Sequence, residues 1–178
     1  MPKVPYVPDN AALFLTFSCL DRRHLLRDAA LCELLVQSIL TSRRRLNYSV
    51  WAYVIMPNHV HLLLQSRTPI NAGSVLRSIK QPFSHRALEY MRSYHPKAHQ
   101  RLLRIEGSRQ VRRFWHPGGG YFSWIIGGSR LRTVITYVNA NPVRRGLVSD
   151  PLDWPWSSAG FYDAGKPCRL VVQWPDFS

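Results

Sequence analysis

The chain has 178 residues, of which 46% are hydrophobic, a size and composition that suit one domain with a packed core. It carries 24 Lys and Arg residues against 10 Asp and Glu, and the net charge of +14 favours a polyanionic partner such as a nucleic acid. It has no apolar run of about 18 residues and no secretory-type start, so we expect no membrane-spanning helix and a cytoplasmic location. The cysteines, Cys19, Cys32 and Cys168, are odd in number and widely spaced, which argues against a disulfide framework or a cysteine zinc site.

The first predicted elements are an arm, a strand and a helix. Residues 1–11 contain three prolines and are predicted to form an extended arm. Leu13–Ser18 is a short, apolar and β-prone run that predicts a first strand. Apolar residues then recur at helical spacing, which predicts a helix that Asp28 caps and that runs to about Leu46. Three arginines at positions 43–45 end this helix, where cations complement its dipole.

A hairpin is predicted next. Tyr48–Met56 is strongly β-prone and is followed by a tight turn at Pro57-Asn58. The return strand is predicted over His59–Gln65. A second helix begins at either Asn71 or Ser74.

The second half of the chain is harder to interpret. Pro82 predicts a kink or an early break in the second helix, and residues 92–113 show no clear pattern. Phe114-Trp115 and Tyr121–Ile126 indicate a strand region interrupted by a mobile, glycine-rich loop.

The last predicted helix covers about Ser129 to Ala140. Asn141-Pro142 should end it, because a residue before proline disfavours the α region. The aromatic tail over 151–178 is predicted to pack across the domain. The order strand, helix, strand, strand, helix, strand, with a further helix after it, fits a single α+β domain over 1–178: a ferredoxin-like sandwich with a central antiparallel sheet.

One candidate site is the motif His59-Val60-His61. Strand side chains alternate between faces, so His59 and His61 point the same way while Val60 points into the core. Two imidazoles on one face are able to share a metal ion. Two exposed or hydrogen-bonded histidines without a metal explain so short a motif equally simply, so the motif alone leaves both interpretations open.

A second candidate site is formed by Tyr137 and Asn141. They are four residues apart and therefore share one face of the predicted helix. Asn141 offers an amide oxygen that suits a divalent cation, and Tyr137 offers a phenol. The alternative is a half-buried tyrosine on an amphipathic helix that Asn141 caps.

The segments around both sites resemble a known family. WAYVIMPNHVHLLL, TYVNANPVRRGLV and DWPWSSA occur in the order and at the separation found in the REP-associated tyrosine transposases, single-tyrosine members of the HUH nuclease class. The resemblance extends from the first strand to about Ala159, most of the chain, and the motifs are long and specific.

The resemblance implies an active site and an activity. His59 and His61 match the metal-binding pair, Tyr137 matches the catalytic tyrosine, and Asn141 falls where relatives place a third, polar ligand. The implied fold is again ferredoxin-like, and the implied metal is Mg or Mn. The implied activity is that of a metal-dependent single-stranded DNA endonuclease and strand transferase, a transposase that forms a 5′-phosphotyrosine on hairpin or palindromic DNA. The implied assembly is a monomer or a homodimer.

DNA contacts are expected from basic and aromatic residues elsewhere. Each candidate arginine is otherwise a solvated surface charge, and each aromatic is otherwise a core residue. A non-catalytic nucleic-acid-binding module derived from a transposase, or an RNA-binding ferredoxin-like protein, is the alternative function. The arginines are Arg43, Arg44, Arg45, Arg101, Arg104, Arg109, Arg112, Arg113, Arg130, Arg132, Arg144 and Arg145, and the aromatics are Trp51, Trp115, Tyr121 and Trp124.

Overall fold

A computed structural model describes residues 11–118 and 120–175. The predicted arm, apart from residue 11, and residues 176–178 of the tail lie outside the described residues. The strands are β1 Ala12–Ser18, β2 Tyr48–Ile55, β3 His59–Ser66, β4 Leu103–Glu106, β5 Arg109–Arg112 and β6 Tyr121–Ile125. The α-helices are α1 Ala29–Leu46, α2 Ala72–Tyr94, α3 Pro96–Gln100, α4 Gly128–Arg144 and α5 Ala159–Ala164.

Four strands form a central antiparallel sheet in the order β2-β3-β1-β6. With α1 after β1 and α2 after β3, this is the β-α-β-β-α-β arrangement of ferredoxin-like folds. The predicted α+β class with a central antiparallel sheet is therefore confirmed. The remaining strands, β4 and β5, pair only with each other and form a separate ribbon.

Helices cover both faces of the sheet. Alternate residues of β1, such as Leu13 and Phe17, pack toward α1 and α2 on one face. Phe14, which points the opposite way, packs with Ile135 and Val138 of α4 on the other face. The site residues on β3 point toward this second face, so α4 is the helix that meets them.

The first helix forms as predicted. Asp28 caps α1 by accepting a hydrogen bond from the Ala30 backbone N–H at 2.8 Å. The helix ends at Leu46, where Asn47 adopts the left-handed conformation, with φ of 50°. Asparagine tolerates this conformation better than most residues, which explains why the chain turns here into β2.

The predicted early break at Pro82 is wrong. Of the two candidate starts, Asn71 is the cap, since its side chain accepts from the Ser74 N–H at 3.1 Å. The helix then passes through Pro82 and continues to Tyr94. Phe83 and the apolar residues one and two turns later are fully buried, and their burial outweighs the one backbone hydrogen bond that proline removes.

The predicted end of the last helix at Asn141-Pro142 is also wrong. Helix α4 continues to Arg144, and the Arg145 N–H still bonds to the Asn141 carbonyl at 3.1 Å. Both Asn141 and Pro142 are buried. Their packing holds the backbone helical for one more turn, despite the preference against the α region before proline.

The unassigned segment 92–113 contains α3 and the β4-β5 ribbon. Of the predicted strand region that follows, only β6 is a strand, because Trp115 makes a single isolated bridge to Cys19. Phe114 and Trp115 are buried beside Phe83, with ring centroids 4.7 and 5.0 Å from it. Their β-prone character therefore reflects aromatic packing in the core.

The described part of the tail returns to the edge of the sheet. Trp154 donates its indole N–H to the Ile55 carbonyl at 3.0 Å, and Val172 bridges to Val50. Trp174 differs from the prediction of a packed tail, because it is 62% exposed; its ring contacts the rings of Phe161 and Tyr162. None of the helices in the described ranges has the length and hydropathy needed to cross a membrane.

Candidate active site

The histidine pair lies where β3 pairs with β1. His59 is opposite Ser18 and His61 is opposite Thr16, and both histidines face α4. Their Nε2 atoms are 3.2 Å apart. His61 is buried, at 5% exposure, and its ring stacks on Phe14 at a centroid distance of 5.5 Å.

A side-chain oxygen lies next to the Nδ1 atom of each imidazole and helps to orient the ring. Asn58 Oδ1 lies 2.6 Å from His59 Nδ1, and Thr16 Oγ1 lies 2.7 Å from His61 Nδ1. An amide oxygen only accepts, so His59 carries its proton on Nδ1 and presents the Nε2 lone pair to the cleft. The Thr16 hydroxyl can fix the same tautomer of His61 by accepting from Nδ1–H. In this tautomer of His61 both Nε2 lone pairs are available to one cation, whereas in the other tautomer the His61 Nε2–H donates to His59 Nε2.

Both histidines are neutral at physiological pH. Burial is the main reason that the pKa of His59 falls to about 4, and the guanidinium groups of Arg145 and Arg22 lower it further. Burial also lowers the pKa of His61 to about 3, with contributions from His59 and then Arg145. Neutral imidazole is the form that binds metals.

Tyr137 of the same chain stands beside the histidine pair. Its ring lies 5.4 Å from the His61 ring and 6.5 Å from the Phe14 ring, measured between centroids. It is 37% exposed, so its phenol is accessible to a ligand in the cleft. The guanidinium of Arg144 covers the other part of the ring, 5.0 Å from its centroid.

A cleft of about 330 Å³ joins these residues. Two of its lining residues, Arg22 and His24, come from the loop after β1 and were not predicted from the sequence. Neither residue lies in a recognisable motif. The one feature of the sequence that could have indicated them is that both follow closely after Ser18, the last residue of β1. The lining residues are Thr16, Ser18, Arg22, His24, Met56, Pro57, Asn58, His59, His61, Tyr137, Arg145 and Leu147.

Asn141 has a different environment from the other predicted site residues. It follows Tyr137 by one turn of α4, as predicted, but it is only 4% exposed. It is not among the residues that line the cleft. The structure thus brings His59, His61 and Tyr137 together and leaves Asn141 beside them in the interior.

The spacing of the two Nε2 atoms fits either a hydrogen bond between the rings or one ion bound to both. Two imidazole nitrogens that bind one ion at about 2.1 Å each lie about 3 to 3.4 Å apart, which includes the observed 3.2 Å. Across residues 11–118 and 120–175, no group of three or more His, Cys, Asp or Glu side chains is placed to hold a metal.

The predicted DNA-binding arginines occupy several separate surfaces. Arg144 and Arg145 are at the candidate active site. Arg43 and Arg44 line another cleft, with Arg67 and Gln65, at the opposite end of β3. Arg112 and Arg113 line a third, beside Lys80 of α2. Among the other candidate arginines, Arg45, Arg130 and Arg132 are exposed on α1 and α4.

The aromatic candidates divide by burial. Trp51 and Trp115 are 4% and 5% exposed and belong to the core, so they are not available to stack on bases in this conformation. Trp124 is partly buried against the same core as Trp115. Tyr121 is 63% exposed and has the accessible ring that stacking requires.

Comparisons with known proteins identify relatives. Residues 10–141 match the sequence family described as IS200-like transposases. A REP-associated tyrosine transposase bound to a REP hairpin is 21% identical, with a TM-score of 0.67 over 100% of this chain and 95% of its own. A candidate transposase from Deinococcus radiodurans R1 is 18% identical, with a TM-score of 0.46 over 79% of this chain and 96% of its own. None of the curated proteins matches the chain by sequence.

Proposed function

Since the chain belongs to the IS200-like transposase family, we propose that it cuts and rejoins single-stranded DNA in the cleft formed by His59, His61 and Tyr137. The observation that carries this proposal is the placement of Tyr137 beside the histidine pair of its own chain, 5.4 Å from the His61 ring. A phenol next to two neutral imidazoles suits nucleophilic attack at a metal-bound phosphate. The tyrosine then serves the metal site of the same chain.

We propose a divalent ion, Mg or Mn, as the cofactor. His59 and His61 would hold it through Nε2, with the amide oxygen of Asn141 as a third ligand. When bound, such an ion supplies a Lewis acid that draws charge from the phosphoryl oxygens. The two oxygens behind the imidazoles, on Asn58 and Thr16, keep both rings oriented for this role.

The proposed reaction is a transesterification in two directions. In the forward step the phenol of Tyr137 loses its proton, and its oxygen forms a bond to phosphorus in line with the leaving 3′-oxygen. The bond from phosphorus to that 3′-oxygen breaks, and the 3′-oxygen takes up a proton. The products are a 5′-phosphotyrosine and a free 3′-hydroxyl. Attack by a 3′-hydroxyl on the phosphotyrosine reverses the step, so rejoining needs no nucleotide cofactor.

We propose hairpin DNA with single-stranded flanks as the partner. The relative that shares the fold over 95% of its length was solved with a REP hairpin, and this chain has the net charge of +14 that phosphate binding favours. The arginines at three separate clefts offer contacts for a stem as well as for a flank.

The test is a covalent-adduct assay with a REP hairpin oligonucleotide labelled at its 3′ end, with Mg or Mn present. The 5′-phosphotyrosine keeps the 3′ fragment, so wild-type protein should carry the label through a denaturing gel. Tyr137→Phe keeps the ring that packs on Phe14 and His61 and removes only the nucleophile. It should bind the hairpin and give no adduct; an adduct that persists in this variant would remove Tyr137 from the mechanism.

The histidines have a matched control. His59→Ala should lose cleavage and keep hairpin binding, because it removes a metal ligand that is only partly buried. His85→Ala changes an exposed histidine of α2 outside the cleft and should cleave like wild type. If the His59→Ala variant loses binding together with cleavage, His59 has a structural role. A wild type that binds hairpins and never forms an adduct would instead indicate a non-catalytic DNA-binding protein.

A further inference from the structure

We infer that Arg22 and Arg145 form a phosphate-binding subsite in the same cleft as the histidine pair, and that this subsite binds the phosphodiester in the cleft. This inference rests on the proposed function, since it assigns the substrate contacts of the same site. Arg22 comes from the loop after β1, and Arg145 follows the last residue of α4. The two side chains line one cleft with Tyr137 and both histidines.

The loop that carries Arg22 is fixed to the turn that precedes His59. The Cys19 N–H donates to the Asn58 carbonyl, and the Leu26 N–H donates to the Pro57 carbonyl, each at 2.9 Å. The position of Arg22 is thereby set relative to the same hairpin turn that begins the histidine strand. A side chain on such a tethered loop can act as a preorganised part of a binding site.

The backbone at Arg22 is strained. Asp21 and Arg22 have φ values of 51° and 52°, a left-handed conformation that side chains other than glycine rarely adopt. Apart from Asn47, they are the only non-glycine residues with positive φ in the described ranges. Two successive residues in this conformation persist only where surrounding contacts hold them, and such strain clusters at functional sites.

An ion pair helps to hold the strained turn. Asp21 pairs with Arg104 of β4, and it also lies 3.6 Å from Arg23. The carboxylate of Asp21 is therefore engaged away from Arg22. The residue that precedes Arg22 is thus joined to the ribbon through its side chain.

Neither cleft arginine has an anionic partner in the described ranges. Among the described residues, neither Arg22 nor Arg145 forms an ion pair with a carboxylate within 4 Å. Both guanidinium groups act electrostatically on His59, whose pKa they lower. Two guanidinium groups without a carboxylate partner, in one cleft with neutral imidazoles, make the cleft positively charged and complementary to a phosphodiester. A guanidinium binds a phosphodiester through a fork of two N–H donors.

The expected consequence is tighter binding of one phosphate and stabilisation of its reacting state. As the phenol oxygen of Tyr137 bonds to phosphorus and the 3′-oxygen leaves, charge develops on the phosphoryl and leaving oxygens. Fixed donors aimed at these oxygens are worth more in the transition state than in the bound ground state.

The test is a scan that measures binding without cleavage. A REP hairpin oligonucleotide with single-stranded flanks receives one methylphosphonate at a time, which removes the charge of a single phosphate. Its affinity for Tyr137→Phe protein is measured without divalent metal. At one position the substitution should weaken binding by about tenfold, because a charge-assisted hydrogen bond is lost. In Tyr137→Phe protein that also carries Arg22→Ala, and separately in one that also carries Arg145→Ala, the same substitution should weaken binding by less than about twofold, since a partner of that phosphate is already absent.

Matched variants separate this inference from its alternatives. Arg27→Ala changes an exposed arginine of the same loop that does not line the cleft, and it should preserve the tenfold effect. Arg22→Lys keeps the charge without the fork and should give an intermediate effect. The inference is overturned if no position shows a loss that depends on Arg22 or Arg145. A coupling of this kind together with no covalent adduct from wild type would keep the subsite and reject the proposed cleavage.

Discussion

Thr16 and His61 are directly opposite each other on neighbouring strands, and Thr16 Oγ1 lies 2.7 Å from His61 Nδ1. This cross-strand pair connects the sheet register to the chemistry of the cleft. A hydroxyl accepts or donates, so Thr16 is able to stabilise the tautomer of His61 that leaves Nε2 free for a metal. Residues of this kind behind a ligand usually contribute to metal affinity.

Thr16→Val should weaken Mn²⁺ binding by about tenfold to a hundredfold, because it removes the oxygen partner of His61 and keeps a similar shape. Isothermal titration calorimetry of the purified protein measures this affinity. Thr16→Ser keeps the hydroxyl and should bind Mn²⁺ much like wild type. Equal affinities of the valine variant and wild type would mean that Thr16 does not support the site.

The pKa values of the histidines predict a pH dependence for the metal-free protein. Both folded-state pKa values, about 4 and about 3, lie below the ordinary value near 6.5. Between about pH 4 and 6.5 the unfolded chain therefore binds more protons than the folded one, and the free energy of unfolding should fall as the pH is lowered through this window. Urea denaturation in EDTA at several pH values measures the trend, and His61→Gln should reduce its slope.

The two cleft arginines should affect the histidines differently. Arg145 lowers the pKa of both His59 and His61, whereas Arg22 acts on His59. In metal-free protein, Arg145→Ala should raise both midpoints in an NMR titration of the imidazole protons, and Arg22→Ala should raise that of His59. Midpoints that do not move in either variant would place the guanidinium groups too far from the rings.

Asn141 is the proposed ligand that does not line the cleft. If its amide oxygen binds the metal, Asn141→Ala should lower Mn²⁺ affinity by about tenfold or more, and Asn141→Asp should retain binding because it keeps an oxygen ligand. Calorimetry measures the affinity, and thermal denaturation checks the fold, since Asn141 is only 4% exposed. An unchanged affinity in a folded alanine variant would show that Asn141 is not a metal ligand.

Ser158 connects α4 to the edge of the sheet. Its hydroxyl donates to Asn139 Oδ1 at 2.6 Å and accepts from the Tyr53 N–H at 3.1 Å, and the residue is fully buried. Ser158→Ala should lower the free energy of unfolding by about 1 to 3 kcal/mol, because it leaves buried polar groups without a partner. Urea denaturation measures the change. The exposed Ser149→Ala serves as the control and should be close to wild type.

Much of the fold could be predicted from local patterns. The structure confirms several signals that act over a few residues: the β-prone runs of the first three strands, the Asp28 cap and the tight turn at Pro57-Asn58. The prolines were misleading at Pro82 and Pro142, because burial of neighbouring side chains outweighed the local preference of the backbone. The ribbon over 103–112 was missed because each of its strands is only four residues long and the second, Arg109–Arg112, is mostly polar.

By itself, the sequence determined the candidate chemistry of this protein: two histidines on one face of a strand, a tyrosine on a helix, and a strong excess of positive charge. Strand alternation and family motifs are local in the chain, so both could be read there. Only the tertiary structure decided that Tyr137 lies beside His61, that Thr16 stands behind it, and that Arg22 reaches the same cleft. These relationships join residues that are distant in the chain, and they depend on sheet order, on the packing of α4 and on a strained loop.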